Sequence, residues 1–314
     1  MTAPTPMTAP TSPTAPTPLT VSAAPTSSAA PAAVPQRLAA ASAEPRPRFV
    51  DLCAAEWIKL RSLRSTTGVL TLSVLAVIAI NANAVHSDFP YIDSPHPPVP
   101  GWPPYRYDAL FHGLGFVPAN LFMITTGSIG AITIFGEYSS GMIRTTFAAV
   151  PDRRSVVAAK VVVVTALMLV AGTAASAGSF FLTNAMLSSR HVGLSIGDPA
   201  CLRAVVAYAL IAPVSALIGL GLGALIRQAT ATVVALVGVL LLAPLLFQGD
   251  RYRWVKEIGN ALPRDAMIRL TFNPHSNTSL GKYAATVTES WIVFGAWSLA
   301  SVVLALVLVH RRDL

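Results

Sequence analysis

Six stretches of the chain are apolar almost without interruption, at residues 67–86, 115–136, 157–187, 204–226, 230–247 and 291–309. About 20 mostly apolar residues are needed to cross the hydrocarbon of a bilayer, and a helix satisfies its own backbone there. The pattern therefore predicts an all-α fold, a polytopic membrane helix bundle with six transmembrane helices. The third stretch is longer than a span requires, which predicts tilt or extension beyond the bilayer. Only Arg227, Gln228 and Ala229 separate the fourth stretch from the fifth, so these two form a tight helical hairpin. Pro213 and Pro244 lie inside them, where neighbouring helices can satisfy the freed carbonyls. Gly219, Gly221 and Gly223, and the pairs Gly172/Ser176 and Ala174/Gly178, supply the small residues that let membrane helices approach closely.

Residues 1–48 are a different material, almost entirely Ala, Pro, Thr and Ser with a loose TAPT-like repetition. Too few large apolar groups occur there to offset the entropy of ordering, which predicts a disordered tail, with docking to another protein as the alternative. No basic start followed by an apolar run marks it as a signal peptide. Residues 49–314 form the membrane domain.

Composition agrees with a lipid solvent. Of 314 residues, 53% are hydrophobic and 11% charged, against about a quarter charged in soluble domains. The formal net charge of +8 resides mostly in loops and sets topology. Lys59, Arg61 and Arg64 precede the first span; Arg144, Arg153, Arg154 and Lys160 follow the second; Arg227 sits in the hairpin and Arg311 and Arg312 end the chain. With six spans all of these share one side, and the positive-inside rule makes it cytoplasmic, together with both termini. The outer loop 248–290 disagrees, with Arg251, Arg253, Lys256, Arg264, Arg269 and Lys282 partly balanced by Asp250, Glu257, Asp265 and Glu289. No basic helix with interleaved aromatics points to nucleic acid. Cys53 and Cys201 lack metal or disulfide spacing and read as small apolar residues. His86, His96 and His112 near Asp88, Asp93 and Asp108 are too irregularly spaced, and too interrupted by proline, to argue for a metal site. Glu137 and Lys160 fall at span ends, within reach of the interface, leaving almost no charge within the spans. That weakens an ion-coupled transport reading, which needs intramembrane relays.

Two stretches carry mechanism. In 49–64, Phe49, Cys53, Trp57, Leu60 and Leu63 recur at steps of three or four along one helix face, with Lys59, Arg61 and Arg64 able to reach headgroups. This is an interfacial helix or an ordinary basic flank. Glu56 interrupts the apolar face and Ile58 lies opposite it. In 137–160 the chain leaves one span, forms a short helix at about 140–149, breaks at Pro151 and restarts under an Asp152 or Ser155 cap. Met142, Ile143, Phe147 and Val150 make that helix apolar on one side, and Arg144, Arg153 and Arg154 make it basic. A protein contact or a topogenic surface turn both fit.

AEWIKLRSLRSTTG, GEYSSGMIRTTFAAVPDRRSVVAAK and RWVKEIGNALPRDA together resemble the permease subunits of ABC-2-type transporters, over residues 49 to 314, the middle stretch being the most specific. The resemblance implies an ABC-2-type exporter architecture: a six-span half-transporter with an interfacial helix carrying Trp57, Lys59, Arg61 and Arg64. It also implies a coupling helix docked on a cytoplasmic ABC ATPase subunit, matched by Glu137, Gly141, Ile143, Arg144, Thr145, Pro151 and Arg153. Short external helices would occupy residues 251–289, and a second copy or a homologue would complete a dimer in the cell membrane.

No GxxxxGK[ST] loop occurs, and the pair Gly281-Lys282 lacks the upstream glycine, so the chain has no usual phosphate cradle. HExxH and GxSxG are absent too. The expectation is a non-catalytic subunit with no cofactor of its own, ATP being bound by the partner. Its substrate would be amphipathic, lipid-like or drug-like. The rivals are an ion-coupled secondary transporter and a membrane subunit for assembly or signalling.

Overall fold

The computed structural model describes residues 48–62, 64–95, 100–101, 106–142, 152–249, 251–274, 276 and 279–311. Helix α1 (Phe49–Ser62) runs into α2 (Arg64–Ser87) and the one-turn α3 (Phe89–Ile92). A short α4 (Ala109–Gly113) leads into α5 (Phe116–Ser139), followed by α6 (Arg153–Ser188) and α7 (Pro199–Ile226). The next span is composite: α8 (Ala229–Val237), a π-helical turn (Gly238–Leu242) and α9 (Ala243–Leu246). Two short helices, α10 (Arg253–Asn260) and α11 (Pro263–Thr271), precede the last span, α12 (Val287–Arg311). No strand occurs among the described residues.

Six helical segments are long and apolar enough to cross a membrane: Arg64–Ile92, Ala109–Ser139, Arg153–Ser188, Pro199–Ile226, Ala229–Leu246 and Val287–Leu308. They coincide with the six expected stretches to within a few residues at each end. The chain is an all-α polytopic membrane protein. The tail is outside the described residues except for Arg48, and so is most of the expected short helix at 140–149.

Local chemistry explains where the helices begin and end. The Asp152 carboxylate accepts the N–H groups of Arg154 at 3.2 Å and Ser155 at 3.4 Å, so Asp152 is the residue that caps α6. Hydrogen bonds from Ser155 hold that carboxyl below its usual range. Asp198 caps α7 through the Ala200 N–H at 2.8 Å, with Pro199 at the first helical position, where a missing N–H costs nothing. The hairpin is made by Arg227 in the left-handed region (φ +58), its N–H returning to the Gly223 carbonyl. Pro244 has no N–H to give the preceding turn, and the wider π turn before it absorbs the mismatch, with the Ala243 N–H reaching Gly238 O.

The bundle is organised around α7. Of its apolar stretch 78% is buried, against 17% for α12, and α5, α6, α11 and α12 all pack on it. Such contact requires glycine where backbones meet. A Cβ on Gly219 would lie 1.9 Å from Gly127 O, and one on Gly172 would lie 2.0 Å from Ala209 O, so the small-residue pattern marks true helix crossings. Polar side chains add interhelical bonds that lipid cannot replace. Buried Asn81 on α2 donates to Ser179 Oγ (3.0 Å) on α6 and to Tyr208 Oη (3.4 Å) on α7, and accepts the Gly115 N–H (3.0 Å). Ser176 Oγ donates to Val205 O at 2.6 Å.

Candidate functional site

At one end of the bundle, α1 lies against the end of α5 and the start of α6, and four charged side chains close a ring. Lys59 Nζ is 2.6 Å from Glu56 Oε1 and 3.0 Å from Glu137 Oε1. Lys160 Nζ is 2.9 Å from the same Glu137 Oε1 and pairs with Glu56 Oε2. The ring is neutral, two carboxylates with two ammonium groups. Three of its members are nearly dry: side-chain exposure is 5% for Glu56 and for Lys160 and 11% for Glu137, against 31% for Lys59. Burial pulls the Lys59 ammonium down, and hydrogen bonding and charge from Glu56 and Glu137 more than offset it, leaving it above the ordinary lysine range.

Isolated ions of this kind would cost several kcal/mol each to desolvate. The ring is therefore held as a unit, and α1 cannot shift against α5 and α6 without parting at least one acid–lysine pair in a poorly solvated place. It is a mechanical joint. Glu137 lies two residues before the end of α5 and Lys160 two turns into α6, so the ring brackets the loop between those helices. Beside it, the Arg227 guanidinium stands 4.3 Å over the Tyr138 ring, with Nε and Nη2 buried and without hydrogen-bond partners among the described residues.

The ring gathers two of the residues singled out from sequence, Lys59 and Glu137, and adds Glu56 and Lys160. Lys59 was expected at headgroups and turns inward instead, while Arg61 and Arg64 are exposed. Glu137 and Lys160 were expected at the interface and are buried against α1. The buried face of α1 carries Cys53, Glu56, Lys59 and Leu60, whereas Phe49 and Trp57 are each 45% exposed. The interruption of the apolar face by Glu56 was thus the signal of the site. Gly141 follows α5 at φ +70, a left-handed turn that favours glycine, and Arg153 opens α6. Ile143, Arg144, Thr145 and Pro151 lie outside the described residues.

The opposite end of the bundle is about 30 Å away along α5. There α10 and α11 occupy the segment where short helices were expected, and fold back on the spans. Arg203 of α7 donates to Leu270 O (2.9 Å) and Phe272 O (2.7 Å), securing the end of α11. Trp297 Nε1 of α12 donates to Ala261 O at 2.8 Å. Arg264, 6% exposed, donates to Asn120 Oδ1 at 3.2 Å. Beneath this layer is a cavity of about 340 Å³ whose walls include Asp108, Phe116, Lys256, Asp265, Arg269 and Phe272. Nearby, Asp88 accepts from Tyr107 Oη at 2.8 Å and lies 2.7 Å from His112 Nδ1. Among the described residues no group of three or more His, Cys, Asp or Glu is placed to hold a metal ion. No protein-family model matches the chain, and no curated protein matches it.

Proposed function

We propose that the chain is the membrane-spanning permease subunit of an ATP-driven exporter of the ABC-2 type, with both termini in the cytoplasm and ATP hydrolysis supplied by a separate ABC ATPase subunit. The observation that carries this reading is the ring of Glu56, Lys59, Glu137 and Lys160. It ties an amphipathic N-terminal helix to both helices that flank the loop carrying Ile143, Arg144, Thr145 and Pro151. A push delivered to that loop by an ATPase would reach α1, α5 and α6 together rather than dissipate in one helix. A second copy or a homologue would complete the pathway, and the exposed apolar faces of α2 and α12 leave room for both lipid and such a partner. An amphipathic substrate, lipid-like or drug-like, suits spans made of apolar and small residues.

The test is co-purification of a Walker-type ATPase with the tagged chain, and its loss on Arg144→Glu. Export should stop when the partner's ATP hydrolysis is abolished. If no nucleotide-binding protein co-purifies, or Arg144→Glu changes neither association nor transport, the reading fails. The buried acid–lysine ring also gives the ion-coupled rival a relay that the sequence did not display. That rival requires export that persists without ATP hydrolysis and collapses with the ion gradient.

A further inference from the structure

The cavity under α10 and α11 differs from the ring, because an acid and an arginine line it without closing on each other. Asp265 and Arg269 are one helical turn apart on α11 and both line it. The Asp265 side chain is 12% exposed and accepts no hydrogen bond among the described residues; it makes one long ion pair, to Arg264 Nη1 at 3.9 Å, with Lys256 acting on it from farther away. Arg269 is turned away from it: its Nε donates to Ala285 O at 2.6 Å, and its guanidinium lies 5.8 Å from the Phe272 ring. No carboxylate is within ion-pair distance of Arg269 among the described residues. The other two charges in the wall are already engaged. Asp108 accepts from the Phe111 N–H (3.1 Å) and from Asn273 Nδ2 (3.2 Å), and Lys256 has an interaction of its own. The remaining lining is mixed: Phe111, Phe116 and Leu280 give it an apolar side, and Gln248, Asn260 and Thr271 a polar one.

We infer that this cavity is a binding site for a small soluble zwitterion with an apolar side group, its ammonium on Asp265, its carboxylate on Arg269 and its apolar group among the phenylalanines. Adjacent charges of opposite sign that do not pair with each other match a ligand that carries both, and disfavour ligands that carry one. The volume is that of a small-molecule site. Burial keeps the Asp265 carboxyl above its ordinary range although Arg264 and Lys256 pull it down, so the nearby cations leave it short of full compensation. The inference is independent of any ATPase.

The test is calorimetric titration of the full chain in phosphatidylglycerol nanodiscs with three probes that share one ring: phenylalanine, phenethylamine and 3-phenylpropionate. Phenylalanine should bind at least about tenfold more tightly than either single-charge probe. Asp265→Asn should reduce phenylalanine to the level of 3-phenylpropionate, and because Asp265 makes no hydrogen bond this variant should fold. Arg269→Gln should reduce it to the level of phenethylamine. Equal affinity for the three probes, no saturable binding of phenylalanine, or an Asp265→Asn variant that binds it unchanged would overturn the assignment. Displacement of phenylalanine by phosphatidylethanolamine in the disc would overturn it as well, giving the site to a lipid headgroup.

Discussion

The two ends of the bundle handle buried charge in opposite ways. At the α1 end, two carboxylates and two lysines satisfy one another. At the α11 end, an acid and an arginine one turn apart face a cavity and stay separate. The difference separates two uses of the same residue types. Charges that close on each other are a joint, stiff because opening it exposes ions to a poor solvent. Charges held apart beside a cavity are a receptor in waiting, and the fold bears their cost until something binds.

The largest expected effect is at the joint. Lys160→Ala removes the innermost ammonium and leaves Glu56 and Glu137 sharing Lys59 alone. Truncating one partner of a buried ion pair costs about 3–5 kcal/mol, so chemical unfolding in detergent should show a loss of that order. An unchanged midpoint would mean that the ring does not hold α1. A double-mutant cycle between Glu56 and Lys160 sharpens the point. A coupling energy of about 0.5–3 kcal/mol is expected for residues in one such network, and strict additivity would dissolve the ring into independent pairs.

Alkali should loosen the same end more gently. The Lys59 pKa is raised in the fold, so its contribution is fully present below the ordinary lysine value of 10.5 and is lost as pH rises through the higher folded value. Proteolytic accessibility of α1, followed against pH, should therefore increase only in strongly alkaline solution. Release of α1 near neutrality would point away from Lys59.

The smallest effect should have the opposite sign, and it lies at the other end. Burial raises the Asp265 carboxyl pKa, so its neutral form suits the fold better. Stability is then greatest below the ordinary aspartate range, falls as pH rises through the folded value, and bears the full cost of the charge at neutral pH. Asp265→Asn should raise Tm modestly at neutral pH and make little difference in acid. A lower Tm at neutral pH would show that Asp265 is a structural partner and that the two ends are alike after all.

Much of the architecture was legible in the chain. Six apolar stretches, their order, the hairpin at Arg227–Ala229 and the glycine positions at helix crossings all follow from composition and spacing, because lipid allows a helical backbone and little else. The site was half legible. Lys59 and Glu137 stood out as charges beside spans. Glu56 showed itself only as a flaw in the apolar face of α1, and Lys160 as an interfacial lysine two turns inside α6. Residues separated by 78, 104 and 23 positions meet in the ring, and no local pattern encodes such a meeting.

The cavity was less legible still. The basic loop 248–290 read as an exception to the charge rule of topology. Two of its arginines are in use within the fold, Arg264 on Asn120 and Arg269 on Ala285 O, while Arg203 of α7 holds the end of α11. By itself, then, the sequence determined that this protein is a bundle of six membrane helices, because hydrophobic length is a local property read against a solvent of known thickness. Only the tertiary structure decided which of its charges cancel and which are left open, because pairing depends on distances between side chains that helix packing alone sets.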